Sequence, residues 1–329
     1  MQMKIKTFIL VFLAGFFFLT ACKKNTDIFV PDPGQINGPD TSWQNTITAA
    51  MPVAVLKNNL LLQPYHDSII VNANTATIVT PFGVQLTFPP NCCSNAVGQI
   101  ITGKVYVEII LVKKKGDMIR LNKPSTHNDS MMVTAGQIFI KLKKDTQTVQ
   151  LAPGVRINVH YLDLPTNQQM KFFIGDETNA ANFNWLPNPD PANNTVIAGT
   201  QAYEIYTNRL RWISLAQVFD ISTTARVNVA ADIAPYFTNA NTTAFTVFKD
   251  FRSVVAMRGD LSTRKFITGK LPVGKYITVV VISKQGNDYY LGYESAITQT
   301  PASNSITQLV RVVPIKKSLP EILAYLSTL

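Results

Sequence analysis

Thr77-Ile-Val-Thr-Pro-Phe-Gly-Val-Gln-Leu-Thr-Phe-Pro-Pro90 is the stretch that decides the fold. Residues 75–79 are rich in β-branched side chains, Pro81-Phe82-Gly83 supplies a turn, and residues 84–88 alternate apolar with polar. That pattern predicts a hairpin with one buried face. Pro89 and Pro90 stop the second strand, because neither can donate to a sheet ladder. Downstream, residues 100–112 are apolar on most of both faces, which predicts a strand central in its sheet or covered on both sides. Residues 136–143 place Ile138, Ile140 and Leu142 inward and lysines outward, and residues 155–162 alternate again. Residues 59–164 therefore predict a first β-sandwich of about 100 residues, a normal size for that architecture.

Residues 77–90, followed by a short loop and a long β-run, resemble the β-sandwich domain shared by ankyrins and netrin receptors. In that family a Gly-Val turn and a strand precede Pro-Pro-x-Ala. The resemblance covers about 40 residues and is carried by pattern more than by motif. Cys92 stands where the family usually has alanine. What the resemblance implies is a scaffolding or interaction role, with no catalytic residues to carry over.

The rest of the chain extends this β pattern. Residues 117–121 predict a short strand. Residues 165–219 are rich in turns, with strand-like pieces at 172–174, 183–185, 203–206 and 210–215; they either finish the first domain or form a small block of their own. Strand-like runs at 227–229, 245–248, 253–257 and 276–282 predict a second sandwich over residues 220–313. Its Leu271-Pro-Val-Gly-Lys-Tyr276 turn resembles that of transthyretin-like envelope modules. Residues 314–329 predict a short helix, with Ser318 as cap, Pro320 early and Glu321 in the first turn. The expected fold class is mainly β: two or three β-sandwich modules in tandem and a short C-terminal helix.

At the other end, Lys4 and Lys6 precede an apolar run over residues 8–19, followed by small residues. A membrane-spanning helix needs about 20 apolar residues, so residues 1–21 read as a secretory signal. Leu19-Thr20-Ala21-Cys22 resembles the lipobox of bacterial lipoproteins. That resemblance implies cleavage before Cys22, a lipid on its sulfur, and membrane attachment through it. Lys23 rather than aspartate in the next position implies outer-membrane cargo, with the leaflet open. Residues 22–58, polar and then punctuated by Pro31, Pro33, Gly34, Gly38, Pro39 and Pro52, read as a tether.

Hydrophobic residues make up 46% of the chain and charged residues 15%, which excludes disorder of the whole. Loss of Lys4 and Lys6 with the leader, and of no acidic residue, takes the formal charge from +10 to +8. That balance fits a solvated basic surface, or anionic partners such as lipid headgroups or acidic polysaccharide. Nucleic acid is not an expected partner, since no aromatic-interleaved basic motif is present. Cys92 and Cys93 are adjacent and give no disulfide framework. Neighbouring Cα atoms are ~3.8 Å apart, short of the ~4.4–6.8 Å of a normal disulfide, which favours free thiols over a vicinal ring.

The chain is poor in catalytic constellations. Its three histidines, His66, His127 and His160, fall in no metal or protease motif. His160 and Asp163, three apart on a strand, point to opposite faces, and His127-Asn128-Asp129 reads as a solvated loop. Asp176, Glu177 and residues 188–194 offer oxygen ligands without the spacing of a calcium loop. Trp43, Trp185, Trp212, Tyr203 and Tyr206 could line a carbohydrate platform, although aromatics on strands usually pack into cores. Lys113-Lys114-Lys115 reads as the solvated end of a strand or as a basic contact patch. No catalytic residue, metal or cofactor is expected, and Cys22 is the one assigned site. The expected function is a lipid-anchored binding or scaffolding module with an envelope protein or glycan as partner. The alternative is an envelope hydrolase or glycan-binding accessory protein with a carboxylate-based site.

Overall fold

A computed structural model describes residues 42–178, 183–219, 225–301 and 306–329. The signal segment, Cys22 and the first part of the expected tether lie outside the described residues. The fold is mainly β. In the first module, one antiparallel sheet runs in the order Tyr65–Val71, Gly103–Val112, Ser130–Lys144, Arg211–Val218, Lys171–Asp176, Asn184–Pro187. The facing sheet runs Thr195–Ala198, Ala202–Thr207, Ile157–Leu162, Val84–Phe88, Ala76–Val79. The alternation read from residues 84–88 is realised here: Val84, Leu86 and Phe88 enter the core between the sheets with Val105, Val107, Ile109, Ile138 and Ile140. Strands of residues 165–219 enter both sheets, so this block is part of the first sandwich.

The second module is one open sheet in the order Leu271–Pro272, Arg226–Asp232, Lys265–Ile267, Val254–Asp260, Thr242–Phe248, Tyr276–Gln285, Asp288–Ile297, Ile315–Lys317, with Thr307–Arg311 parallel to Arg226–Asp232. It curls over on itself, since Val229, Ala231 and Val310 from one end share a core with Val279 and Val281 from the other.

A second apolar layer joins the modules. Phe139, Phe173, Trp185 and Trp212 on the outer face of the first module's larger sheet meet Phe245, Val247, Val280 and Ile282 of the second. Three short helices complete it: α1 (Pro52–Leu60), α2 (Lys115–Arg120) and α3 (Leu319–Ser327). Burial of each such side chain is worth about 1.5–3 kcal/mol. This layer explains the strands that read as apolar on both faces. All seven residues of Thr242–Phe248 are buried. In Gly103–Val112, Val112 and Ile110 meet the junction, whereas Tyr106 faces solvent.

Three sequence expectations change. Residues 52–58, expected as tether, belong to α1, where Pro52 opens the helix at no hydrogen-bond cost and Val53, Leu56 and Leu60 share one buried face. The segment before it is docked as well. Gln44 exchanges two hydrogen bonds with the Asn239 side chain, at 2.8 and 2.7 Å, and Trp43 packs on Phe266. Residues 117–121, expected as a strand, lie mostly in α2, where Met118 and Ile119 fill the junction. Lys113-Lys114-Lys115 is a clamp between elements, not a contact patch. Lys113 reaches Leu162 O and Asp163, Lys114 reaches Ser327 O, and Lys115 reaches Phe248 O.

The C-terminal helix forms as its sequence predicts over Leu319–Ser327, whereas Ile315–Lys317, expected within it, pairs as a strand with Tyr289–Leu291. Ser318 Oγ accepts from Glu321 N, and Glu321 Oε2 accepts from Ser318 N at 2.8 Å. Its hydrogen bond from Lys317, together with those from Ser318, holds the Glu321 carboxyl at about 2, below its usual 4.5. The cap is therefore complete above about pH 4.5 and is lost as pH falls through about 2. Amide protection in α3 should fall over that interval in an NMR exchange titration. Unchanged protection at pH 2 would contradict the cap's contribution.

Candidate functional site

The junction leaves a cleft of about 470 Å³, within the size range of ligand pockets. One wall is the loop that leaves α2. Asn122, Asn128 and Asp129 take positive φ there, a conformation that Asn and Asp tolerate better than most residues. The loop is fastened on both sides. Trp185 Nε1 donates to Pro124 O at 2.9 Å, Ser125 N donates to Val254 O at 2.8 Å, and Val254 N returns a bond to Ser125 Oγ at 2.8 Å. Gly269 lets the loop approach the opposite wall, since a Cβ there would lie 3.1 Å from Asp129 O. The other walls are α1, through Val53 and Lys57, and the strands that carry Thr243, Val255 and Arg258.

The polar groups of this cleft are unevenly satisfied. Asp129 and Arg258 pair at 2.9 Å with both side chains over half exposed, a geometry worth at most about 1 kcal/mol. Lys57 is half-buried, and burial holds its ammonium below the usual value. It has no ion-pair or hydrogen-bond partner for its side chain among the described residues. The same is true of the side chains of Asn122, Thr126 and Thr243. Thr126 and Thr243 are each only 9% exposed, and their hydroxyls border the cleft without a protein partner among the described residues. Such groups are open to hydrogen bonds from a ligand or from water in the cleft.

The residues singled out in the sequence lie elsewhere or hold structure. His127 Nδ1 donates to Trp185 O at 2.6 Å, which assigns its proton and leaves Nε2 facing Asn128. Its neighbour Asp129 faces Arg258 instead. His66 is on an edge strand opposite Glu108, and His160 is on the solvent side of the five-stranded sheet between Gln85 and Glu204. Asp163 is buried and takes Lys113 at 2.9 Å and both Arg252 Nη atoms at 3.2 Å, tying the modules together. Asp176 caps Thr178, and Glu177 pairs with Arg211. Within residues 188–194, Asp190 accepts from Asn193, and Asn188 and Asn194 bond within the same turn.

Trp185 and Trp212 are in the junction, Tyr203 is in the first core, Trp43 packs on the second module and Tyr206 lies on the open sheet face, so these rings form no common platform. Cys92 and Cys93 are buried with their sulfurs 3.5 Å apart and unbonded, and the hydrogen bond between them pushes the Cys93 thiol up. Among the described residues, no group of three or more His, Cys, Asp or Glu side chains could hold a metal.

Next to the cleft, Lys123 Nζ sits 3.7 Å from the Phe183 ring centre and 5.4 Å from that of Trp212. Burial lowers its ammonium to about 8. The unfolded chain holds this proton up to the usual 10.5, so stability should rise with pH between about 8 and 10.5 as the folded state sheds the buried charge. A lysine side-chain NMR titration should place the Lys123 midpoint near 8. A midpoint above 10 would contradict the burial seen here.

These observations define a two-module, mainly β protein with a polar cleft at the junction. Neither models of known protein families nor curated proteins match the chain.

Proposed function

We propose that this is a lipid-anchored cell-envelope protein that acts by binding, with the junction cleft as its binding place. The observation that carries the binding reading is the set of unpartnered polar side chains, Lys57, Asn122, Thr126 and Thr243, around one cleft. Two modules held by a shared apolar layer and by the Asp163 ion cluster give that cleft fixed walls, and fixed walls lower the ordering cost of binding. The anchor reading rests on Leu19-Thr20-Ala21-Cys22 after the apolar run. A two-carboxylate hydrolase needs partners about 5–10 Å apart; among the described residues lining the cleft, Asp129 is the single carboxylate and is tied to Arg258.

Two experiments test this reading. A Cys22→Ser precursor should lose labelled palmitate and leave the membrane fraction; retained label and membrane association would overturn the anchor. Saturation-transfer NMR of the full chain against soluble envelope glycans should find a ligand whose signal is lost in a Thr126→Val, Thr243→Val variant. A ligand held equally by that variant would overturn the cleft assignment.

A further inference from the structure

The charges that line the cleft narrow its ligand. Lys57, Asp129 and Arg258 are the charged residues there, and the last two neutralise each other across 2.9 Å. One positive charge is left over, on an ammonium that has no counterion among the described residues. A single carboxylate balances it. A phosphate monoester, with about −1.5 to −2 charges at neutral pH, would bring more negative charge than the cleft compensates. The remaining unpartnered groups are two hydroxyls and one amide, each able both to donate and to accept. That set matches the hydroxyls of a sugar, and Phe183, Val53 and Met257 supply apolar surface for the C–H face of a ring.

We infer that the cleft takes a monoanionic, hydroxyl-bearing sugar: one uronic acid unit of an acidic polysaccharide, its carboxylate on Lys57 and its hydroxyls on Asn122, Thr126 and Thr243. This rests on the cleft being the binding place. It agrees with the basic balance of the chain, whose formal charge of +8 after loss of Lys4 and Lys6 favours acidic partners. Burial already disfavours the lone Lys57 ammonium, so an arriving carboxylate relieves a cost the free protein carries.

Isothermal titration calorimetry on the detergent-solubilised full chain tests this with three probes: the methyl glycoside of galacturonic acid, its methyl ester, and inorganic phosphate. The galacturonate glycoside should bind, and the neutral ester should bind at least tenfold more weakly. Lys57→Met should remove most of the difference between acid and ester, with thermal melting to show that the variant folds. Lys57→Arg should restore most of the difference. Equal affinity for acid and ester, or tighter binding of phosphate, would overturn the uronic acid assignment. If the ester then remains sensitive to Thr126→Val and Thr243→Val, the cleft reading still stands. The galacturonate glycoside bound equally by that double variant would overturn the cleft itself, and absence of binding by either sugar would overturn the uronic acid assignment.

Discussion

Trp185→Ala should lower the stability of the protein by about 3–5 kcal/mol, the usual cost of deleting a fully buried indole. Trp185 is completely enclosed in the junction, with Phe183 packed edge-on at 4.9 Å. Its Nε1 also donates to Pro124 O, so truncation orphans a carbonyl on the wall of the cleft. The effect should therefore appear twice, as a shifted urea midpoint and as faster amide exchange in residues 122–129. Trp185→Phe keeps most of the volume and should cost less while still loosening that loop. A loss below about 1 kcal/mol for the alanine variant would show that the indole is not the support described here.

Gly116→Ala is the second large effect, and its sign is diagnostic. Within a helix, glycine to alanine normally stabilises by about 0.8–1 kcal/mol. Here a Cβ would lie 1.7 Å from the Leu326 carbonyl oxygen and 2.5 Å from its carbon, both backbone atoms that cannot rotate away. Either α2 or α3 must move. Helix α3 carries Ile322 and Leu326, both fully buried in the junction, and the chain end is tied back through Lys115 N to Leu329 O. Overpacking costs about 1–3 kcal/mol, and more where a docked element is displaced. A destabilisation of about 3 kcal/mol is expected, read by denaturant unfolding. Any gain in stability would contradict the contact between α2 and α3.

How much of this was legible in the sequence depends on the range of the interactions involved. The strand of residues 84–88 announces itself because one buried face imposes a period of two on neighbouring residues, whereas residues 136–140 are buried on both faces and only Lys141 and Lys143 mark an outer side. The cap on α3 is equally local, written within Ser318–Glu321. Helix α2 is six residues long, and Met118, Ile119 and Leu121 fit a strand pattern as well as a helical one over so short a span. Helix α1 shows Val53, Leu56 and Leu60 at helical spacing, a signal masked by the proline-rich stretch before it.

The lysine run was ambiguous for another reason. A triplet of charges looks the same whether it faces water or clamps Leu162, Ser327 and Phe248, whose carbonyls lie 49, 213 and 133 residues away. The cleft is the extreme case, because Lys57, Thr126 and Thr243 come from three separate parts of the chain and carry no shared motif. What marks them is the lack of a partner after folding, which no local pattern encodes.

The cleft exists only while the two modules remain fused through the layer that holds Trp185, Phe245 and Ile322. Differential scanning calorimetry of the full chain tests that fusion most directly. Fused modules should unfold in a single transition, with calorimetric and van't Hoff enthalpies equal, and Trp185→Ala and Gly116→Ala should shift that one transition as a whole. Two separable transitions in the unmutated protein, with either substitution moving only one of them, would contradict the fused junction and the fixed cleft built on it.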